Sequence, residues 1–271
     1  MEDAKVIEMI KRNPIIIKNI DNPTEEMKLL AVEQNGLLLR YIKNPTEEMQ
    51  KLAMKSNARA IEFIDNPTED MMIEAVNNGW SNLSYIKNPS DSVIKLAIEQ
   101  RGWAIRYAKD PSEELQLLAV RKDYDSIKYI KNPCESVQVE AVKISYDALR
   151  YINLPCYDAE LTAIKNNEAA VKFISNIDKH KLISFLRVNI LVIRYISRNM
   201  LNEISQNELE ELLKDVLSNE DVEEKYVRDF LNCTVIDRVS DIIAIDKIMF
   251  IYKYGSKKAK KIAVDEKLKM I

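Results

Sequence analysis

Few side chains in this sequence could do chemistry. Among 271 residues there is one histidine, His180, and there are three cysteines, Cys134, Cys156 and Cys233. His180, in "NIDKHKLI", reads as a solvated residue near a helix start. No Ser-His-Asp order, P-loop or dinucleotide fingerprint accompanies it. Acidic pairs such as Glu25-Glu26 and Glu113-Glu114 are the types that general acid–base catalysis uses. Acidic residues, paired or single, recur at the helix starts from Glu25 to Asp158, where the helix dipole favours negative charge, and that assigns them to stability. Cys134 and Cys156 occupy equivalent places in adjacent copies of a repeat. Helix stacking would hold them roughly 8–10 Å apart, beyond the disulfide reach of about 7 Å between Cα atoms. With no Cys-x-x-Cys pattern, no metal site is expected. The reading is of no enzyme, no cofactor, and free thiols in a reducing compartment, the cytoplasm.

Two other sets of residues suit binding. Trp80, Trp103, Tyr124 and Tyr146 all fall at the turn between two helices of a repeat, and they include both tryptophans of the chain. On one rim they would make a row of the residue types that dominate binding hot spots. The competing account is that these rings fold back over neighbouring helices. The second set is basic. Arg40, Arg106, Lys128, Arg150, Lys172 and Arg194 share one place in the repeat, a column interrupted by Glu62 and Ser84. Arg121, Lys143, Lys165 and Arg187 share another. Two such columns could follow a phosphate backbone. Against that stand a formal net charge of −3 and a pI near 5.6, far from the basic footprint of a nucleic-acid module.

The frame that positions these residues is set by proline. Pro23, Pro45, Pro67, Pro89, Pro111, Pro133 and Pro155 are each 22 residues apart, and only Pro14 lies off the grid. With each proline as position 1, position 9 is alanine from Ala31 to Ala163. Position 19 is aromatic from Tyr41 to Tyr195, and position 20 is isoleucine from Ile20 to Ile196 except at Ala108. A fixed period in this range marks a stacked repeat array.

Each copy carries its own punctuation, illustrated by "IKNPTEEMQKLA" (42–53). Asn44 suits an N-cap, Pro45 the first helical position, and Glu47 the third, completing a capping box. Met49, Leu52 and Ala53 follow as the stripe of an amphipathic helix. Asn35-Gly36 marks the end of one such helix, glycine supplying a left-handed C-cap. A shorter helix covers positions 15 to 20, and the next Asn-Pro stops it. At about 100° per residue, positions 16, 17, 19 and 20 form its buried arc and position 18 points to solvent. Positions 13 to 15 carry no core duty. A single two-helix unit cannot bury its apolar face alone, so the expected fold is all-α: an α-solenoid of 22-residue two-helix repeats.

The ends differ from the middle. In the first copy positions 5 and 8 are Lys5 and Glu8, as suits a face with no preceding neighbour. The frame holds through nine copies, residues 1–198. Residues 199–271 read as a divergent helical region that continues or caps the array. Longer acidic helices are expected there at 207–218 and 220–232, and "GSKKAKKIAV" restores the register with Ala263 at position 9. "MEDAKVIEMIK" reads as no secretory signal. "LISFLRVNILVIRYI" (182–196) is interrupted by Arg187 and Arg194 and reads as core, not as a membrane span.

The phrase "LLAVEQNGLLLRYI" (29–42) resembles an uncharacterised bacterial and viral repeat built on Ala-Val-x-x-Asn-Gly and an apolar helix ending in tyrosine. More loosely, the units are similar to leucine-rich-repeat variants and HEAT-like repeats. The resemblance covers residues 1–198 and implies protein or nucleic-acid binding, with no catalytic residue to carry over. The reading is therefore a scaffold that engages a protein partner through one long face. A phage-encoded inhibitor of a host complex is one specific form of it, consistent with the abundant Ile, Lys and Asn of an AT-rich genome. The alternative is nucleic-acid binding along the basic columns.

Overall fold

The structure, a computed structural model, describes residues 2–268. It is all-helical apart from one pair of two-residue strands. The chain falls into two compact units, Met1–Pro133 and Cys134–Ile271. The division lies inside the repeat series, ahead of its end near Arg198.

In the first unit the long helices are α1 (Glu2–Arg12), α2 (Glu25–Gln34), α3 (Glu47–Ser56), α4 (Glu69–Asn77), α5 (Asp91–Gln100) and α6 (Glu113–Lys122). Each packs on the next. The second element of each copy is a 3-10 helix: Pro14–Asn19, Gly36–Tyr41, Ala58–Phe63, Trp80–Tyr85, Gly102–Tyr107 and Tyr124–Tyr129. These also pack on one another in order. Ala31, Ala53, Ala75, Ala97 and Ala119, all at position 9, are completely buried, as close helix approach requires. Lys5 and Glu8 are exposed on α1, while Ile10 is fully buried on its other face.

The helix starts differ from the sequence reading in a uniform way. The N-cap is the hydroxyl residue at position 2, after the proline. Thr24, Thr46 and Thr68 each accept a bond from the amide three residues on, at 3.3 Å. Ser90 and Ser112 do the same at 3.4 Å. Asn44 lies two residues ahead of the cap Thr46 at φ 51°, the left-handed region that Asn and Asp tolerate best. Glu47 is consequently the first helical residue and cannot close a capping box. The reason is reach, since a cap must sit next to the first turn with its side chain near the third amide.

Glycine also has a different duty. Asn35 is extended, at φ −149° and ψ 100°, and its side chain accepts from Leu37 N at 3.1 Å, capping the 3-10 helix that follows. Gly36 is not left-handed; a Cβ there would overlap the carbonyl oxygen of Ala53, and one at Gly102 that of Ala119. Position 14 is thus glycine where the backbone of the next copy comes closest, and positions 13 to 15 do carry structural duty. Gly36→Ala should cost about 1–3 kcal/mol in urea melts through overpacking. An unchanged midpoint would contradict this contact.

The shorter element is 3-10 because six residues bounded by two caps close more i→i+3 bonds than i→i+4 bonds. Its last bond runs from the position-20 amide to the position-17 carbonyl, as in Ile42 N to Leu39 O at 3.0 Å. Three residues per turn eclipse positions 15 and 18, and 16 and 19. Positions 16 and 17 are buried (Ala60 and Ile61, Ala104 and Ile105). Two copies are polar at position 16: Asn82 is half-buried and donates to the Ala75 carbonyl at 2.9 Å, whereas Ser126 is fully buried and its hydroxyl has no partner among the described residues. Ser126→Ala should raise stability by about 1 kcal/mol, because an unpaired buried hydroxyl is removed; a loss of stability in a thermal melt would count against that.

In the second unit the pattern continues with α7 (Glu135–Ile144), α8 (Tyr157–Asn166) and α9 (Lys179–Val188), alternating with 3-10 helices Tyr146–Tyr151, Glu168–Phe173 and Ile190–Arg194. Cys134 and Cys156 stand where other copies have Thr or Ser, and neither makes a side-chain cap bond. Beyond the repeats come α10 (Arg198–Leu201), α11 (Gln206–Ser218), α12 (Glu224–Asn232), α13 (Lys247–Tyr254) and α14 (Lys257–Leu268). Ser205 and Glu208 form the capping box of α11. Ser256, at position 2 of the restored register, accepts from Ala259 N at 3.1 Å. Ala259, Ile262 and Ala263 bury the expected stripe. The all-helical expectation missed β1 (Ile236–Asp237) and β2 (Ile243–Ala244), which pair in parallel. Among the described residues no helix is long and apolar enough to cross a membrane.

Candidate functional site

Position 19, assigned by helical periodicity to the core, is only half-buried or exposed. Tyr41 is 42 % exposed and Tyr195 is 41 % exposed. One 3-10 turn beyond the small, buried position 16, the ring reaches the end of its helix and is covered on one side only. The position-18 cation lies against it. In the first unit the Arg40 guanidinium is 5.2 Å from the Tyr41 ring centroid and 5.7 Å from that of Phe63. Arg59, from position 15, sits 4.6 Å over Tyr85. Such cation–aromatic contacts within about 6 Å are attractive.

These contacts converge around Arg106. Its guanidinium lies 5.9 Å from the Trp80 ring, 5.0 Å from Tyr107 and 5.4 Å from Tyr129. Its Nη2 donates to the Tyr107 hydroxyl at 3.0 Å. Tyr129 meets Trp103 edge-on at 6.1 Å between ring centroids. Lys128 Nζ is 4.1 Å from the Trp103 ring, and the Arg101 guanidinium is 4.7 Å from it. Trp103 Nε1 donates to Asp125 Oδ1 at 2.7 Å, one copy further on. Both tryptophans therefore belong to one cluster of rings and cations built from three successive copies. They are half-buried, as are Tyr124 and Tyr146. Among the described residues no ring contact joins Tyr124 to the cluster.

Electrostatics separates the cations. Eclipsing of positions 15 and 18 pairs Lys128 with Asp125 at 2.7 Å and Arg59 with Glu62 at 3.1 Å. Arg101 faces Asp123 at 3.4 Å. Partial burial pushes the Asp125 carboxyl up, but the bonds from Lys128 and Trp103 outweigh it and hold it below the usual carboxylate range. Arg106 is exposed and has no carboxylate partner among the described residues.

In the second unit Tyr146 stacks on Phe173, with ring centroids 6.3 Å apart, and Arg150 lies 5.5 Å over Phe173. Lys172 sits 4.4 Å over Tyr195. Arg150 also approaches Asp147 at 3.9 Å. The position-11 column has another use here. Lys165 pairs with Glu223 at 2.5 Å and Arg187 pairs with Asp215, so carboxylates of the C-terminal region take up both cations. Arg194 donates to the Asn232 carbonyl at 3.4 Å. Arg121 and Lys143 are exposed on their helices.

A cleft of about 550 Å³, lined by Leu186, Arg198, Leu209, Asp241 and Ile242 among others, holds none of the candidate residues. Ile248, Met249 and Tyr252 are exposed on α13. His180 is exposed, and its carbonyl accepts from Ser184 Oγ at 3.1 Å. All three cysteines are free thiols. Among the described residues no three His, Cys, Asp or Glu side chains gather as metal ligands would. Sequence reasoning missed Tyr107, Tyr129, Arg101 and Asp125; a three-residue period applied to the shorter helix would have found the Asp125–Lys128 pair. No protein-family model, curated protein or solved structure matches the chain.

Proposed function

We propose that the chain is a non-enzymatic α-solenoid of the helical-repeat type its sequence resembles, and that it binds a protein partner through the face of the 3-10 helices. Order-by-order packing of like helices within each unit supports the solenoid. The observation that carries the binding reading is the convergence of Trp80, Trp103 and Arg106, the residue types of interaction hot spots, on one partly exposed cluster. An inhibitor made by a phage against a host complex is one form of this activity.

Nucleic acid is the weaker occupant. The faces of Trp103 are engaged by the protein's own cations, and the columns at positions 11 and 18 are neutralised at Lys128, Lys165 and Arg187. Capture from bacterial lysate, with and without nuclease, tests the reading. A discrete protein recovered regardless of nuclease, and lost with Trp80→Ala, is the expected result. Recovery that disappears with nuclease would overturn it.

A further inference from the structure

We infer that the Trp80–Arg106–Tyr129 cluster recognises a carboxylate side chain in an acidic segment of the partner protein. This rests on the protein-binding reading above and adds the chemistry of the partner. Every other cation placed against the two tryptophans already has a carboxylate: Lys128 has Asp125 and Arg101 has Asp123. Arg106 has rings and the Tyr107 hydroxyl instead. Those rings lie within 6 Å of the guanidinium without neutralising it. The Tyr107 and Tyr129 hydroxyls engage part of the fork, and of the five guanidinium N–H groups the others remain for a carboxylate acceptor. Trp80 and Tyr129 would pack the methylenes beside the bound carboxylate.

A phosphate presents the same oxygens, but a phosphodiester chain needs cations in succession and open ring faces. In the two copies before that of Arg106, position 18 is Glu62 and Ser84. In the next copy Lys128 is paired with Asp125. One un-neutralised guanidinium among aromatic walls fits a single carboxylate in an apolar setting, hence an acidic peptide that also carries apolar residues.

The test uses the full chain and fluorescein-labelled peptides of mixed Glu, Leu and Tyr sequence, their Gln-for-Glu counterparts, and a labelled oligothymidylate. Polarisation reports binding; emission of the two tryptophans reports its place. Glu peptides should bind and perturb the emission, and their Gln counterparts should bind at least about tenfold more weakly, as loss of a charge-assisted bond implies. Arg106→Ala should remove that preference and Arg106→Lys should restore part of it. Lys51→Ala, which removes an exposed ion pair with Glu47 on α3 and touches none of the cluster, should change affinity less than about twofold. Glu preference that survives Arg106→Ala, absence of binding by every Glu peptide, or tighter Arg106-dependent binding of oligothymidylate would each overturn the inference. A captured partner that tolerates Arg106→Ala but is lost with Trp80→Ala would sink the carboxylate chemistry alone. A partner retained by all variants would sink the binding reading itself.

Discussion

Phe185→Ala is expected to destabilise the protein by about 3–5 kcal/mol, the range for emptying a fully buried aromatic site. Phe185 is 0 % exposed and occupies position 9 of α9, the place that Ala97, Ala119, Ala141 and Ala163 fill in earlier copies, also at 0 %. The difference follows from what lies alongside. Beyond Ala97, Ala141 and Ala163 a further repeat helix of the same unit packs closely, and only a methyl fits. Beyond α9 the neighbour is α11 of the C-terminal region, and the ring fills space that no repeat helix occupies. Tyr226, buried nearby, donates to the Leu186 carbonyl at 2.9 Å. The converse change, Ala97→Leu, should cost about 1–3 kcal/mol by overpacking. Urea melts of both variants are the check. A Phe185→Ala loss below that of Ala97→Leu would mean that the end of the stack is not packed as described.

Much of this was legible in the sequence because it repeats. Proline spacing and the position-9 alanines located the long helices, and the return of the register at Gly255 located α14. The cap was misplaced by two residues because Asn and Thr are both good caps, and sequence alone does not say which one adopts extended backbone. The glycine of Asn35-Gly36 was given a left-handed role because composition cannot distinguish a positive φ from a close approach by Ala53. The 3-10 period was invisible in six residues. That error hid two things at once, the eclipsed Asp125–Lys128 pair and the surface placement of position 19. The Arg106 cluster lay beyond sequence because its members come from three copies, and only stacking geometry brings Trp80 and Tyr129 to the same guanidinium.

The second large effect is on binding. Trp80→Ala and Trp103→Ala should each cost about 2 kcal/mol or more in affinity for the captured partner, as truncated hot-spot residues do. The two differ in what else they disturb. Trp80 makes no side-chain hydrogen bond among the described residues, so its loss should leave the melting curve nearly unchanged. Trp103 holds Asp125 through Nε1, so its truncation should also lower stability slightly. Trp103→Phe separates the roles, keeping the ring while dropping the bond. Affinity of the wild type should fall only mildly as salt is raised, because few ionic contacts are made; a steep fall would be the signature of phosphate contacts.

Both tryptophans of the chain stand in this cluster, so their emission is a local probe without any label. The most direct test is acrylamide quenching of that emission in the free protein and in its complex with the captured partner. The account predicts that binding shifts the emission and protects the rings from quencher, and that Arg106→Ala weakens the protection. A partner that binds fully while emission and quenching stay as in the free protein would contradict it.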